Sequence, residues 1–277
     1  MHLDRLAVFD LDRTMLDDTS LIPERMERRL TAALVPGLAC TIASGRDFEH
    51  VLPFVEQLGW KSVPVIAEQG AVFVDPNSGL ILMERGISRE VLLGTMVTVH
   101  SALIPLNVIL YGRDVPQVFR NAGAPSYVDG WGGGWYTAQL RDVPDARDIL
   151  TDGVRKISIK CLPEHTDAIR DLLRGSLGPH ANVVKADVNF VNIMDSGVSK
   201  GTALRWLISY LGVRAAGVMV GGDCEADQSM FAVAGVSVAV ANADEQTRSM
   251  ATYVVPSNNE QGAAVALEKF ADGRFGP

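Results

Sequence analysis

Cysteine and long apolar runs are both scarce in this sequence. Its three cysteines are an odd number without the spacing of metal ligands, and Cys40 and Cys161 lie in apolar runs that predict buried thiols. No run approaches the roughly 18 apolar residues that span a bilayer. The first residues also lack the apolar stretch of a signal peptide. We therefore expect a cytoplasmic protein that does not insert into a membrane.

Positive charge is scarce as well. Lysine and arginine number 25 against 33 aspartates and glutamates, which gives a net charge of −8. Neither nucleic acid nor an anionic membrane surface is an expected partner of such an acidic chain. Phosphate esters are not excluded, because a metal ion and a few well-placed cations are enough to bind them. Oligomeric state is not predicted by any pattern in the sequence.

Apolar, strand-like runs are abundant in a chain of 277 residues that is 47% hydrophobic and 21% charged. Buried parallel strands are predicted at Leu6–Phe9, Ala39–Ala43, Val63–Ala67, Val218–Val220 and Val236–Val240. Helical patterns lie between them, at Ile22–Leu34 and in the segment that follows Ser199. This alternation predicts an α/β fold with a Rossmann-like parallel-sheet core and helices on both faces of the sheet.

A cluster of turn-forming residues at 75–79 marks the first predicted domain boundary. Beyond it, strands are predicted at Leu80–Glu84, Asn107–Tyr111, Lys156–Cys161 and Ala181–Val191, and helices at Arg89–Val99 and Pro163–Leu177. We therefore predict a discontinuous catalytic core formed by residues 1–76 and 196–277. An α/β domain formed by residues 77–195 is inserted into it.

Two carboxylates, Asp10 and Asp12, come directly after the apolar run Leu6–Phe9. Open α/β sheets place their chemistry just past the carboxyl ends of such strands. Asp10 is the predicted nucleophile of a phosphoryl transfer, forming an aspartyl-phosphate, and Asp12 is the predicted acid and base. The ordinary alternative is a polar strand end, since aspartates are common in turns.

A second polar group, Ser44-Gly45-Arg46, follows the apolar strand that ends at Ala43. Ser44 can donate a hydrogen bond to a phosphoryl oxygen, and Gly45 allows the backbone to approach it closely. Arg46 either helps to hold the phosphate or joins the two domains. A strand-to-helix turn with a surface arginine is the ordinary alternative.

Lys200 and an acidic glycine-rich segment complete the set. Lys200 lies near the start of a predicted helix, where a cation is poorly placed for the helix dipole and a nearby anion would explain it. In the segment 221–227, Asp223 is a predicted metal ligand, and Asp227 either binds the metal through water or holds Lys200. A solvated lysine and an ordinary acidic turn are the alternatives.

Taken together, these motifs resemble those of the haloacid dehalogenase-like phosphatase superfamily, over the whole chain. The matching segments are Asp10–Thr14, Ser44–Arg46, Val198–Leu204 and Gly221–Asp227. Ile66–Ala71 resembles the "ENGA" stretch of the Cof-like and sugar-phosphate phosphatases, and Asn242-Ala243 with Ser257–Gly262 resembles their carboxyl-terminal loops. The insertion resembles the type IIB cap of that group.

This resemblance implies a Mg²⁺-dependent phosphomonoesterase. Asp10, Asp12 and Lys200 would be its catalytic residues, and the metal site would combine the Asp10 carboxylate, the Asp12 carbonyl oxygen and Asp223, with Asp227 as a further metal residue. The expected substrate is a small phosphorylated metabolite, a sugar phosphate by analogy. A sugar phosphomutase and a non-catalytic phosphosugar-binding protein are the alternative functions.

Three positions depart from the pattern of the family. Arg13 replaces a glycine of DxDGT, with little expected effect unless its cation contacts the substrate. Gln69 replaces the asparagine of the ENGA stretch. Ala226 replaces an asparagine common in the fourth motif, which puts the local polar network and the metal affinity or rate in doubt.

The glycine-rich tract 130–135 lies in the predicted cap. Three aromatic residues in or beside it would stack on a sugar or, alternatively, close the core of the cap: Trp131, Trp135 and Tyr136. His100 and Arg113 are further candidate contacts, with ordinary surface positions as the alternative.

Overall fold

The strand that precedes the first acidic motif is buried along almost its whole length. In the computed structural model, which describes residues 3–112, 116–121, 123–129, 140–142 and 153–276, Arg5–Phe9 forms strand β1. Leu6, Ala7, Val8 and Phe9 are at most 1% exposed. Such a run, apolar on both faces, is typical of a parallel strand covered on two sides.

The other strands of the described residues follow in chain order. They are β2 (Leu38–Ile42), β3 (Val65–Ala67), β4 (Val72–Val74), β5 (Ile81–Glu84), β6 (Asn107–Tyr111), β7 (Gln117–Arg120), β8 (Leu140–Asp142), β9 (Lys156–Lys160), β10 (Ala181–Asp187), β11 (Phe190–Asp195), β12 (Val218–Gly222), β13 (Val236–Val240) and β14 (Tyr253–Val255). The α-helices are α1 (Glu24–Ala32), α2 (Phe48–Leu58), α3 (Arg89–Ser101), α4 (Thr166–Leu177), α5 (Lys200–Leu211), α6 (Glu225–Phe231), α7 (Glu245–Met250) and α8 (Gly262–Ala271).

A parallel sheet with the order β14-β13-β12-β1-β2 forms the core of the first unit. An isolated parallel bridge between Ala43 and Ile66 continues it towards β3. Leu30 of α1, Val51 of α2, Leu204 of α5 and Leu267 of α8 belong to the same buried cluster as the strands. The predicted α/β fold with a parallel-sheet core is confirmed.

Helix α5 begins where the sequence predicted. The Ser199 hydroxyl accepts a hydrogen bond from the Thr202 backbone N–H, and the Thr202 hydroxyl accepts one from the Ser199 N–H. This reciprocal cap satisfies two backbone donors that the first turn of a helix would otherwise leave unpaired. Lys200 therefore has a defined position as the first residue of the helix.

The chain divides into two compact units. One comprises Met1–Met83 with Ser199–Pro277, and the other Glu84–Val198. The first division thus falls between Met83 and Glu84, where the sequence suggested 76/77, and the second between Val198 and Ser199, where it suggested 195/196. The second unit contains a sheet with the order β10-β11-β9-β6-β7-β8, and helices α3 and α4 contribute to a shared apolar cluster with its strands.

The segment Ala181–Val191, predicted as one strand, is part of a hairpin. Strand β10 ends at Asp187, Val188 and Asn189 form the turn, and β11 returns antiparallel. The prediction of a continuous strand was wrong because the apolar residues continue through the turn, which contains neither glycine nor proline.

Several candidate substrate contacts of the second unit have no described position. Trp131, Trp135, Tyr136 and Arg113 lie outside the described residues, whereas His100 is exposed near the end of α3. Within the part of the chain that is described, no helix combines the length and apolar character needed to traverse a bilayer.

Candidate active site

Three neighbouring parallel strands bring the predicted acidic and hydroxyl residues to one edge of the sheet. The Asp10 N–H donates to the Gly221 carbonyl oxygen, and the Ala43 N–H donates to the Phe9 carbonyl oxygen, each at 2.9 Å. These bonds extend the pairing of β1 with β12 and β2 by one residue. Asp10, Ser44 and Asp223 follow their strands at this edge, where parallel α/β sheets carry their sites.

Lys200 joins two carboxylates from different parts of the chain. Its Nζ lies 2.5 Å from Asp10 Oδ1 and 2.7 Å from Asp227 Oδ1. The lysine is only 2% exposed, and both carboxylates are buried as well. A surface lysine, the ordinary alternative for this position, is therefore excluded. Charge-assisted bonds of this kind hold the ammonium in a fixed place beside Asp10.

Asp227 also organises the loop that carries Asp223. Its Oδ2 accepts hydrogen bonds from the backbone N–H groups of Asp223 at 3.0 Å and Cys224 at 3.2 Å. A Cβ atom on Gly222 would lie 2.4 Å from the Asp227 Cβ, so only glycine fits at this crossing. Of the two roles expected for Asp227, its hydrogen bonds correspond to holding Lys200.

Asp12 is held by the arginine of the second motif. Arg46 Nε donates to Asp12 Oδ2 at 2.9 Å, and Arg46 Nη2 donates to Asp12 Oδ1 at 2.5 Å. The Ser44 hydroxyl oxygen accepts the Arg46 backbone N–H at 3.1 Å, with Gly45 in the turn between them. The sequence left the partner of Arg46 open between phosphate and the second domain; its guanidinium instead fixes Asp12 through a bidentate pair.

Arg13 and Thr14, which follow Asp12 in the chain, both lie close to Asp223. The Thr14 hydroxyl donates to Asp223 Oδ1 at 3.4 Å, and Arg13 Nε lies 3.7 Å from Asp223 Oδ2. Arg13 has a φ of 56°, in the left-handed region that favours glycine. The glycine of the family motif at this position is thereby explained by backbone conformation.

Two asparagines that the sequence placed in carboxyl-terminal loops, without a role, support the loop after β1. Asn242 Nδ2 donates to the Arg13 carbonyl oxygen at 2.8 Å, and Asn258 Nδ2 donates to the Leu16 carbonyl oxygen at 2.9 Å. The Asn258 N–H in turn donates to Asn242 Oδ1 at 2.9 Å. The available signal was that both asparagines follow apolar strands, as the site residues do.

The stretch Ile66–Ala71 packs against the second motif. The Glu68 N–H donates to the Arg46 carbonyl oxygen at 2.8 Å, and the Gln69 N–H donates to the Ser44 carbonyl oxygen at 2.9 Å. Glu68 and Gln69 have φ values of 50° and 61°, in the left-handed region. The two backbone hydrogen bonds to the neighbouring turn stabilise this conformation. Gln69 is buried, and its Oε1 has no hydrogen-bond partner among the described residues.

Burial and the closeness of several acidic groups shift the pKa values of the site residues. Burial raises the pKa of Asp10 to about 7, with Asp227 and Asp12 adding to the rise and Lys200 opposing it. Burial, reinforced by the charges of Asp10 and Asp227, raises the pKa of Asp223 well above its usual range. Burial disfavours the Lys200 ammonium, but the charges of Asp10 and Asp227 outweigh this and raise its pKa. Within the described part of this edge, one buried ammonium is thus bonded to two buried carboxylates, and Asp223 is a third buried carboxylate beside them.

The donor set fits a hard divalent cation. Ligand atoms of Asp223, Cys224 and Asp227 lie within 4.8 Å of one another. Burial, together with the charges of Asp227 and Asp223, raises the pKa of Cys224, so its thiol keeps the proton. Asp227 already accepts hydrogen bonds at both oxygens, whereas Lys200 bonds only Oδ1 of Asp10, which leaves Asp10 and Asp223 as the carboxylates that could donate an oxygen to a metal ion. Carboxylate oxygens with excess negative charge suit Mg²⁺ rather than a soft metal.

Comparison with known proteins agrees with this geometry. A family model described as haloacid dehalogenase-like hydrolase matches residues 7–267. The chain belongs to this family. The resemblance inferred from the four sequence motifs is confirmed, and the enzyme is a hydrolase by family.

Relatives of this haloacid dehalogenase-like hydrolase span different lengths. A protein of Arabidopsis thaliana named chloroplastic endoribonuclease YBEY is 28% identical over 95% of this chain, and the match spans only 46% of that relative. A Bacillus subtilis protein, YxeH, whose name assigns it to the phosphatases, is 25% identical over 96% of this chain and 97% of its own length. The YBEY name describes a protein of more than twice the matched length, so its activity is not carried over.

Among solved structures, the hydrolase is similar to a subclass IIB sugar phosphatase of the same superfamily. The TM-score is 0.79 at 19% identity, and the match covers 96% of this chain and 98% of that one. At this identity the likeness establishes the fold alone.

Proposed function

We propose that this chain is a Mg²⁺-dependent phosphomonoester hydrolase that acts through an aspartyl-phosphate on a small phosphorylated metabolite. The observation that carries the proposal is the buried Lys200 ammonium, 2.5 Å from Asp10 and 2.7 Å from Asp227. A cation fixed beside a buried carboxylate, at the end of a central parallel strand, suits a nucleophile that must approach an anionic phosphoryl group.

In the first step an Asp10 oxygen attacks phosphorus, an O–P bond to Asp10 forms, and the ester P–O bond breaks. Asp12 gives its proton to the departing alcohol oxygen. In the second step Asp12, now ionised, takes a proton from water as that water attacks phosphorus. The acyl phosphate bond breaks, so inorganic phosphate leaves and Asp10 is regenerated.

Lys200 and Arg46 each hold one of these two acids in place. Lys200 favours the ionised form of Asp10 by its charge and by direct hydrogen bonding, which oppose the effect of burial on the pKa of Asp10. Arg46 orients Asp12 through two parallel bonds, and it must release one Asp12 oxygen when that oxygen transfers a proton. Ser44 is assigned to a phosphoryl oxygen, and Gly45 leaves room for close approach of the phosphate.

The Asp10 carboxylate, the Asp12 backbone carbonyl and Asp223 are the residues that would hold Mg²⁺. The cation would neutralise charge on the transferring phosphoryl group. Asp227 is assigned to positioning Lys200 and the loop of Asp223 rather than to direct ligation, because each of its oxygens already accepts a hydrogen bond.

Recognition of the rest of the substrate is assigned to the second unit. Its strand β9 directs Ile157 and Ile159 into the apolar cluster with α3 and α4, so alternation places Lys156 and Ser158 on the other face of the sheet. Ser158 Oγ donates to Asn192 Oδ1 at 2.6 Å. These three side chains are buried, so a sugar phosphate is proposed as the substrate class by analogy with the family alone.

The test is phosphate release from a panel of sugar and polyol phosphates, in Mg²⁺ or with a chelator. Wild type should release phosphate only with the metal, and Asp10→Asn should lose the activity. Asp171→Asn, a change of the same kind at an exposed carboxylate of the second unit, should retain it. Conversion of a hexose phosphate to its isomer without release of phosphate would instead establish a mutase. Activity of Asp10→Asn at the wild-type level would overturn the nucleophile.

A further inference from the structure

Arg13 has an anchored backbone and an unusual conformation for an arginine. Its φ of 56° lies in the left-handed region, where glycine stands in the family motif. The Asn242 side chain holds its carbonyl oxygen at 2.8 Å. Both observations fix the backbone from which the Arg13 side chain extends.

The guanidinium approaches the proposed metal ligand Asp223 from the solvent side. Arg13 Nε lies 3.7 Å from Asp223 Oδ2, and the side chains of the pair are 41% and 8% exposed, respectively. Thr14 occupies the other oxygen, Asp223 Oδ1. A partly exposed cation therefore lies beside the one oxygen of Asp223 that Thr14 leaves available.

Asp18 is a second carboxylate with which the positive charge of Arg13 interacts. Hydrogen bonds from Asn259 and Asn258 lower the pKa of Asp18, and the Arg13 charge contributes in the same direction. Asp18 is held by Asn259 Nδ2 at 2.8 Å and by Asn258 Nδ2 at 3.3 Å. Arg13 thus lies within electrostatic reach of two anions, one buried in the site and one outside it.

We propose that Arg13 competes with the divalent cation for Asp223 and thereby weakens the affinity of the site for free metal. The inference rests on the proposed function, because it takes Asp223 as a metal ligand. A guanidinium near that carboxylate repels a second cation, and metal binding requires Arg13 to move away, with Asp18 as the anion available to receive it. Glycine in this position would impose no such competition.

The test is calorimetric titration of the full chain with Mg²⁺, and with Mn²⁺ as a second probe, for wild type and three Arg13 variants. Arg13→Gly and Arg13→Asn suit the left-handed backbone and remove the charge, so they should bind metal about tenfold more tightly. Arg13→Lys keeps the charge and should bind as weakly as wild type, within about twofold. Thermal unfolding checks that each variant is folded.

Two results would overturn the inference while leaving the metal site in place. One is equal affinity in wild type, Arg13→Gly and Arg13→Asn. The other is tighter binding by Arg13→Lys to the same degree as by Arg13→Gly, since charge would then not be the cause. Asp223→Asn separates this from failure of the proposed function: loss of binding in that variant supports Asp223 as a ligand. Absence of metal binding in every protein, wild type included, would overturn both.

Discussion

Arg46 donates a hydrogen bond to each carboxylate oxygen of Asp12, with its Nε 2.9 Å from Oδ2 and its Nη2 2.5 Å from Oδ1. Asp12 is otherwise accessible, with 45% of its side chain exposed. An exposed carboxylate on a flexible chain would sample several rotamers, and two parallel bonds select one of them. Arg46 therefore acts as a positioning residue for the proposed acid.

Replacing Arg46 with lysine should impair turnover in a way that depends on the leaving group. Lysine keeps the charge but cannot make the forked pair. We expect kcat/KM, which reports formation of the aspartyl-phosphate and not its hydrolysis, to fall about ten- to hundredfold for an alkyl phosphate, because its alkoxide needs a proton from a well-oriented acid. The fall should be much smaller for p-nitrophenyl phosphate, whose leaving group needs no proton. Steady-state kinetics with both esters checks this, and equal losses would contradict a positioning role.

Asp12→Asn should separate metal binding from catalysis. Its backbone carbonyl, the proposed ligand, is unchanged, so calorimetry should give a metal affinity close to that of wild type. Turnover should fall by about 10²–10⁴-fold, the usual contribution of a general acid or base. With p-nitrophenyl phosphate the first step needs no acid, so phosphorylated Asp10 should accumulate and be visible by mass spectrometry. Full turnover of this variant would remove Asp12 from the mechanism.

The sheet and the positions of the motifs were predictable because they depend on strong local signals. Apolar runs identified β1, β2, β12 and β13, and parallel strands necessarily bring the residues after their carboxyl ends to one edge. Ser199 predicted the start of α5 through its capping hydroxyl. Helix α6 had no such signal, because its cap position is Cys224, which is not among the usual capping residues.

The pairings between side chains were less predictable than the strands. Asp12 and Arg46 lie in separate loops, and whether an arginine faces a carboxylate, a phosphate or another domain depends on rotamers and on neighbours that no periodicity records. Asp227 was left between two roles for the same reason. The left-handed backbone of Arg13 was also not evident, because arginine, unlike glycine, is not typical of a positive φ.

Gly222→Ala should disturb both stability and catalysis. The added Cβ would lie 2.4 Å from Asp227 Cβ and 2.5 Å from its Cγ. Asp227 would have to move, and with it one of the bonds that hold Lys200. We expect a loss of about 1–3 kcal/mol in the free energy of unfolding and a fall in kcat.

Gly175→Ala is the matched control, because that exposed helical glycine has no atom within 4 Å of its added Cβ. Denaturant unfolding should find the control as stable as wild type or more so; an equally stable Gly222→Ala would refute the steric argument.

The ion pair between Arg29 and Glu268 should make stability depend on pH. Arg29 Nε and Nη2 each donate to a Glu268 oxygen at 2.8 Å, and these bonds lower the pKa of Glu268. A carboxyl group with a lowered pKa stabilises the fold above its unfolded pKa of about 4.3. That contribution is lost as pH falls through the folded pKa. Glu268→Gln should therefore unfold at a lower temperature than wild type at pH 7, by a small margin because the pair is partly exposed. Thermal scans should find the gap narrowing as the pH falls below about 4.3; a gap that does not narrow would contradict the assignment.

Replacing Lys200 and Asp227 together should cost less stability than the sum of the two single replacements. Lys200→Met leaves Asp10 and Asp227 as buried anions without their cation, which typically costs about 3–5 kcal/mol of unfolding free energy. Asp227→Asn alone deprives Lys200 of a partner and puts an amide where two backbone N–H groups need an acceptor. In the double variant one of the two uncompensated charges is gone. Its loss of stability should therefore be smaller than the sum of the single losses by more than about 0.5 kcal/mol, the limit within which independent sites add. Urea unfolding of the four proteins gives this coupling directly. Strict additivity would mean that Lys200 and Asp227 do not stabilise one another, and that Asp227 serves only the backbone of the Asp223 loop.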